Sequence, residues 1–144
     1  MDQESTIPRE QDRIREEFAL FDDWRERIEY IMELGRDLPP IEEALKQESH
    51  KVHGCQSQVW MIAEPRGELL AYHGDSDAFI VKGLIALLMR LYSNRRPEEI
   101  LDNPPQVFED IGLGNNLTPG RSNGLYAMVK RIQELAAAHQ DVSA

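Results

Sequence analysis

Only one cysteine, Cys55, occurs in the 144 residues of this chain. An internal disulfide is therefore excluded, as is any metal or cluster site built on two or more thiolates. Long hydrophobic runs are missing too. No apolar stretch approaches the roughly 18 residues that would make it a membrane-span candidate. The most apolar segment, around Ile80 to Leu91, carries Lys82 and Arg90 and reads as a buried helix. Positive charge is scarce: 16 Lys and Arg stand against 26 Asp and Glu, a net charge of −10. Nucleic acid demands a basic face, and so does an anionic membrane surface bound through charge, so neither is an expected partner. The acidity itself is covered by solubility through self-repulsion and points to no partner. The N-terminal MDQESTIPREQDRIREEF has no apolar signal core and is not acid-poor like a transit peptide, which places the chain in the cytoplasm. Internal repeats, low-complexity tracts and domain boundaries are also lacking.

What remains is the composition of one folded domain, 41% hydrophobic and 29% charged. Residues 1–8 read as a disordered lead-in ending at Pro8. Ile14, Phe18 and Phe21 recur at helical spacing between Arg9 and Phe21. Asp22 or Asp23 then caps a second helix whose buried stripe is Trp24, Ile28, Ile31 and Met32, with Gly35 as its stop. Leu38-Pro39-Pro40 breaks the pattern before a helical turn over 41–45. The middle of the chain changes period. A short extended piece at His50–His53 precedes a strand at Gln58–Ala63, a turn at Pro65-Arg66-Gly67 and a returning strand at Glu68–His73. Asp75, Ser76 and Asp77 are suited to cap the central apolar helix that follows. Gly83 inside that helix costs about 1 kcal/mol relative to alanine, which close packing explains. Short helices follow at Pro97 and after Pro104-Pro105. Thr118-Pro119 opens a last amphipathic helix that runs to about Ala138, with a frayed tail over 139–144. The expected class is α+β, a small three-stranded antiparallel sheet with helices packed on one side, in a single domain over 1–144.

Cys55 lies in His53-Gly54-Cys55-Gln56-Ser57-Gln58. A lone cysteine is most often a small buried hydrophobe. Here the flanks are polar, Gly54 permits a turn that lifts the thiol onto a loop tip, and His50, Lys51 and His53 are near in sequence. Such neighbours favour the thiolate, the form that attacks sulfur. His50, His53 and Cys55 match no common zinc spacing and lack a fourth ligand. His73 reads as a surface strand residue, and Trp60 as core. Arg121 falls in the first turn of the last helix, where the dipole disfavours a cation by up to about 1 kcal/mol. It is either a plain surface arginine or one paired with an anion, an acidic neighbour or the sulfur of Cys55.

Three blocks then resemble one family. They are Val52-x-Gly54-Cys55-x-Ser57-x-Val59-Trp60, Gly74-Asp75-Ser76-Asp77-Ala78 with Ile80-Val81-Lys82-Gly83-Leu84, and Leu117-Thr118-Pro119-x-Arg121-x-x-Gly124-Leu125 with Ala127-Met128. Together with the similarity of YIMELGRDL (30–38) to a family helix, they make residues 10–138 resemble the SufE sulfur acceptors. The resemblance implies the SufE/NifU (IscU-like) fold with Cys55 as the persulfide acceptor at a loop tip. It implies a cysteine desulfurase of SufS or CsdA type as donor and a SufBCD-type scaffold as recipient, feeding iron–sulfur cluster assembly. Pyridoxal phosphate belongs to the donor, and no cofactor or metal is expected here. Gly54, Gln56, Ser57, Asp75, Asp77, Lys82 and Arg121 are the supporting or partner-facing residues. A homodimer stays open. The rival readings are a desulfurase-binding adaptor in which Cys55 is incidental, a thiol-dependent hydrolase or transferase, and a metal or cluster scaffold.

Overall fold

In the computed structural model the backbone is described for residues 6–143 and the side chains for residues 6–140. The first helix starts earlier than its charge pattern suggests. Thr6 Oγ1 accepts from the Arg9 N–H at 3.2 Å, and Pro8 occupies the first turn of α1 (Ile7–Ala19). Pro8 needs no N–H partner there, and Ile7 is fully buried with Ile14 and Phe18. Residues 6–8 of the expected lead-in therefore belong to the folded chain, and residues 1–5 lie outside the described ones.

Asp23 caps α2 (Trp24–Arg36), its carboxylate accepting from the Glu26 N–H at 2.9 Å. Gly35 lies inside that helix and does not stop it. A Cβ there would lie 2.5 Å from the Phe79 carbonyl oxygen, and one on Gly83 only 1.9 Å from that of Ile31. The two glycines let α2 and α3 (Phe79–Tyr92) cross in backbone contact. The close packing expected at Gly83 is present.

The hairpin pairs β1 (Val59–Arg66) with β2 (Leu69–Ser76) in antiparallel register, from Val59 opposite Ser76 to Arg66 opposite Leu69. Pro65 and Arg66 are within the strand, and the turn is Gly67-Glu68. Gly67 has φ +63°, the left-handed first residue that a two-residue loop favours. Among the described residues the sheet has two strands, not the expected three. The chain before Cys55 contributes one bridge, Lys51 to Trp60, with the Val52 N–H donating to the Val59 carbonyl at 2.8 Å. A 3₁₀ turn at Glu48–His50 and the positive φ of Gly54 leave too little extended chain for a strand.

The capping expected of Asp75, Ser76 and Asp77 is also corrected. Strand β2 runs on through Ser76, so Ala78 takes the cap position of α3 with no side-chain cap. The remaining helices are α4 (Pro97–Asp102), α5 (Gln106–Asp110) and α6 (Pro119–Ser143). The last continues beyond the expected end near Ala138. Helix α3 presses on the hairpin, where a Cβ on Gly74 would meet Ile85 at 2.9 Å. Helix α6 is tied to it through Tyr72, whose hydroxyl donates to the Ile132 carbonyl at 2.8 Å. No helix among the described residues is long and apolar enough to cross a membrane.

Candidate functional site

The segment 54–57 leaves the Lys51–Trp60 bridge, turns at Gly54 with φ +94°, and crosses the N-terminal half of α6. Small residues on that helix make room for it. A Cβ on Gly124 would stand 3.4 Å from Cys55 Sγ, and one on Gly54 would stand 3.5 Å from the Ala127 Cβ. A Cβ on Gly120 would run into the Gln56 side chain at 2.2 Å. Gln56, Cys55 and Gly54 thus lie in turn over Gly120, Gly124 and Ala127, one helical face spaced four and three residues apart. The Cys55 thiol donates weakly to the Gly124 carbonyl, with sulfur 3.7 Å from oxygen.

Cys55 is half-buried in this seat. Burial raises its pKa, because the thiolate loses more hydration than the thiol. Activation of the thiol by His50 and His53 does not occur in this arrangement. His50 holds the Leu45 carbonyl through Nδ1 at 2.8 Å, and His53 faces Glu48 at 4.0 Å. This environment disfavours the thiolate, the opposite of what a permanently activated nucleophile has.

Beside the thiol opens a cleft of about 510 Å³. Cys55, Gln56 and Ser57 form one wall, Val81 and Leu84 of α3 its apolar floor, and Thr118 to Arg121 with Gly124 and Met128 the other side. Thr118 opens α6, its Oγ1 accepting from the Arg121 N–H at 3.4 Å. The exposed Arg121 has no carboxylate partner among the described residues, which leaves its guanidinium for an anion in the cleft. Val81, Leu84 and Met128 stand in the family-like blocks, but sequence alone assigns them no role at the site. Their apolar spacing on the helices was visible, but not that one edge of the core opens at Cys55.

The other candidates sit elsewhere. Asp75 is 2% exposed and lies between Lys46 Nζ at 3.4 Å and Lys82 Nζ at 3.6 Å. It also accepts from the Ser76 N–H at 2.8 Å. Asp75 and Lys82 therefore brace β2, α3 and the turn at Lys46, and neither lines the cleft. Asp77 accepts from the Gln58 N–H at 3.1 Å and donates its own N–H to the Gln58 carbonyl at 3.4 Å. That clasp fixes the chain three residues beyond Cys55. His73 is bound to Glu64 at 2.9 Å on the hairpin surface. Trp60 is partly buried under the Lys46 ammonium, 5.2 Å from its ring centre. Among the described residues no three His, Cys, Asp or Glu side chains are grouped to hold a metal.

Residues 12–136, which contain this whole site, match the family described as "SufE: Fe-S metabolism associated domain". A SufE-like protein of Rhizobium etli, named as uncharacterized, is 42% identical over 130 residues, 87% of this chain and 88% of that protein. A similarly named protein of Rhizobium meliloti is 39% identical over 130 residues, 87% and 93% of the two chains. The solution structure of a hypothetical protein from Thermus thermophilus superposes with a TM-score of 0.75 at 24% identity, over 94% of this chain and 97% of that one. This last likeness speaks for the fold.

Proposed function

This chain belongs to the SufE family of iron–sulfur metabolism, and from that premise we propose that Cys55 accepts a sulfane sulfur from a cysteine desulfurase and passes it to a cluster-assembly scaffold. The observation that carries the reading is the position of the chain's one thiol, at the wall of an open cleft beside Arg121. In the transfer step the Cys55 thiolate attacks the terminal sulfur of a persulfide on the desulfurase. A sulfur–sulfur bond forms on Cys55 as the bond to the desulfurase cysteine breaks, and that cysteine leaves as a thiolate. The Cys55 proton passes to solvent before attack. Because burial disfavours the thiolate, the donor must draw the segment 54–57 off α6, where the sulfur is rehydrated and ionises more readily. The positive φ already present at Gly54 gives that motion a natural pivot.

After transfer the outer sulfur lies on the cleft side, over Val81 and Leu84 and within the field of Arg121. Apolar walls hinder small thiols and oxidants, and the guanidinium favours the anionic persulfide. A second opening of the segment presents the sulfur to a thiol on a SufBCD-type scaffold. The donor is a SufS- or CsdA-type enzyme, and the pyridoxal phosphate of the reaction resides on it. With one thiol, this chain carries sulfur and leaves cluster building to its recipient.

The direct test is intact mass after incubation with a cysteine desulfurase and L-cysteine, followed by alkylation. Wild type is expected to gain one sulfur atom and Cys55→Ser none. A Cys55→Ser protein that still stimulates the desulfurase fully would replace the acceptor reading with the adaptor one.

A further inference from the structure

A second cleft, of about 440 Å³, lies on the far side of the Cys55 segment. Its walls are the chain just before the cysteine, with Glu48, Lys51 and His53, and the middle of α6, with Lys130, Arg131 and Glu134. Its charge runs against that of the molecule. Three fixed cations, Lys51, Lys130 and Arg131, meet two carboxylates, Glu48 and Glu134, so this cleft is net +1 in a chain of net −10. The carboxylates do little to neutralise it. Glu134 stands 4.0 Å from Arg131 Nη1, at the outer limit of an ion pair, and Glu48 faces His53 at the same distance. Lys51 and Lys130 have no carboxylate partner among the described residues.

Arg131 supplies a separate observation. Its Nε is buried and finds no hydrogen-bond acceptor among the described residues. A buried donor left unpaired costs about 1–3 kcal/mol, while the side chain as a whole is 32% exposed at the cleft. A carboxylate is the acceptor a guanidinium fits best, through two parallel N–H···O bonds.

We propose that this cleft docks an extended acidic segment of a protein partner. Its shape supports a chain over a small anion: the lining residues of α6 run from Ala127 to Glu134, about 10 Å at 1.5 Å per residue. Three residues of extended peptide span that length, at about 3.3 Å each. Glu48 and Glu134 at the rim oppose a uniformly charged phosphate backbone, whereas a peptide can place its carboxylates between them. The site goes beyond sulfur acceptance and stands without it. Its position still matters, because Val52 and His53 line this cleft and Cys55, two residues on, lines the other. A partner held here would have its main body next to the thiol.

The test uses the full chain, ¹⁵N-labelled, titrated with a hexaglutamate peptide at low salt. Amide shifts are expected to concentrate in residues 48–53 and 127–134, and the affinity to fall as salt is raised. Lys130→Glu, at an exposed position, is expected to weaken binding about fivefold, and Lys51→Glu with Lys130→Glu more than tenfold, in line with losing charge-assisted contacts. Arg96→Glu, on a different surface, serves as the control and is expected to change it less than twofold. Shifts spread over all surface cations, an equal loss with Arg96→Glu, or tighter binding of a six-nucleotide single-stranded DNA would each overturn the proposal. The same titration on Cys55→Ser is expected to give the same result, which separates this site from the fate of the acceptor reading.

Discussion

Cys55 is seated against one residue that carries no side chain, Gly124. A Cβ on Gly124 would stand 3.4 Å from the sulfur, at the near edge of ordinary contact, and would take up room in the thiol's seat. Gly124→Ala gains helix propensity, so its stability is expected to change by less than about 1 kcal/mol. Its Cys55 is expected to react with iodoacetamide several times faster than wild type, because the seat is partly filled. Gly120→Ala is the useful contrast. Its Cβ displaces only the far end of the exposed Gln56 side chain, and no rate change is expected. The raised thiol pKa has a pH consequence as well. In the folded protein the alkylation rate should climb at higher pH than in urea-unfolded chain, whose cysteine titrates near about 8.5. A folded pKa above the unfolded one means the thiol contributes stability below that pH. The contribution is lost as pH rises through the folded value. Coincident folded and unfolded rate profiles would show the seat to be open in solution.

At the scale of elements, two contacts hold the parts that frame the cleft. The crossing of α2 and α3 depends on Gly83, where a Cβ would sit 1.9 Å from a backbone oxygen that cannot rotate away. Gly83→Ala is expected to cost about 3 kcal/mol, the upper end of overpacking, read as a drop in thermal midpoint. The second contact is Asp75. With both oxygens buried between Lys46 and Lys82, it joins β2, α3 and the turn before the Cys55 segment. Asp75→Asn keeps the shape and removes the charge. Because the two lysines are about one-quarter exposed, the expected loss is about 2 kcal/mol, less than for a fully buried pair. If denaturant unfolding shows no loss, the lysines have turned to solvent and Asp75 braces nothing.

The whole molecule is closed by a network that ties its first helix to its central one. Arg90 of α3 bonds Glu10 at 2.6 Å and Glu17 at 2.6 Å, both on α1. Tyr30 of α2 donates to Glu17. The Arg90 hydrogen bond holds Glu17 below the usual carboxylate range, while burial and its own bond to Glu17 push the Tyr30 hydroxyl up to about 12. A depressed carboxylate pKa stabilises the fold above its unfolded value, about 4.3, and the contribution is lost as pH falls through the folded value. Stability measured by urea at pH 7 and pH 3 is therefore expected to drop less in Glu17→Gln than in wild type. Equal drops would place the acid-sensitive contact elsewhere.

Composition, period and turn residues determined much of this protein. Asp23 and Thr118-Pro119 marked two helix starts, and the β-branched and aromatic content around Trp60 marked a strand. Those signals are local, and local chemistry decides them. The resemblance added the family and singled out Cys55. What tertiary structure alone decided is where each residue's partner lies. Asp75 reads as a helix cap because acids suit a first turn, but Lys46, twenty-nine residues earlier in the chain, draws it into the strand interior. Gly35 reads as a helix stop, yet it lies within the last turn of α2, where the Phe79 carbonyl requires its bare Cα. His50 and His53 stand close to Cys55 in sequence, but His50 is hydrogen-bonded to the Leu45 carbonyl and His53 faces Glu48 at 4.0 Å. The thiol instead packs against Gly124, sixty-nine residues away, and burial in that seat raises its pKa.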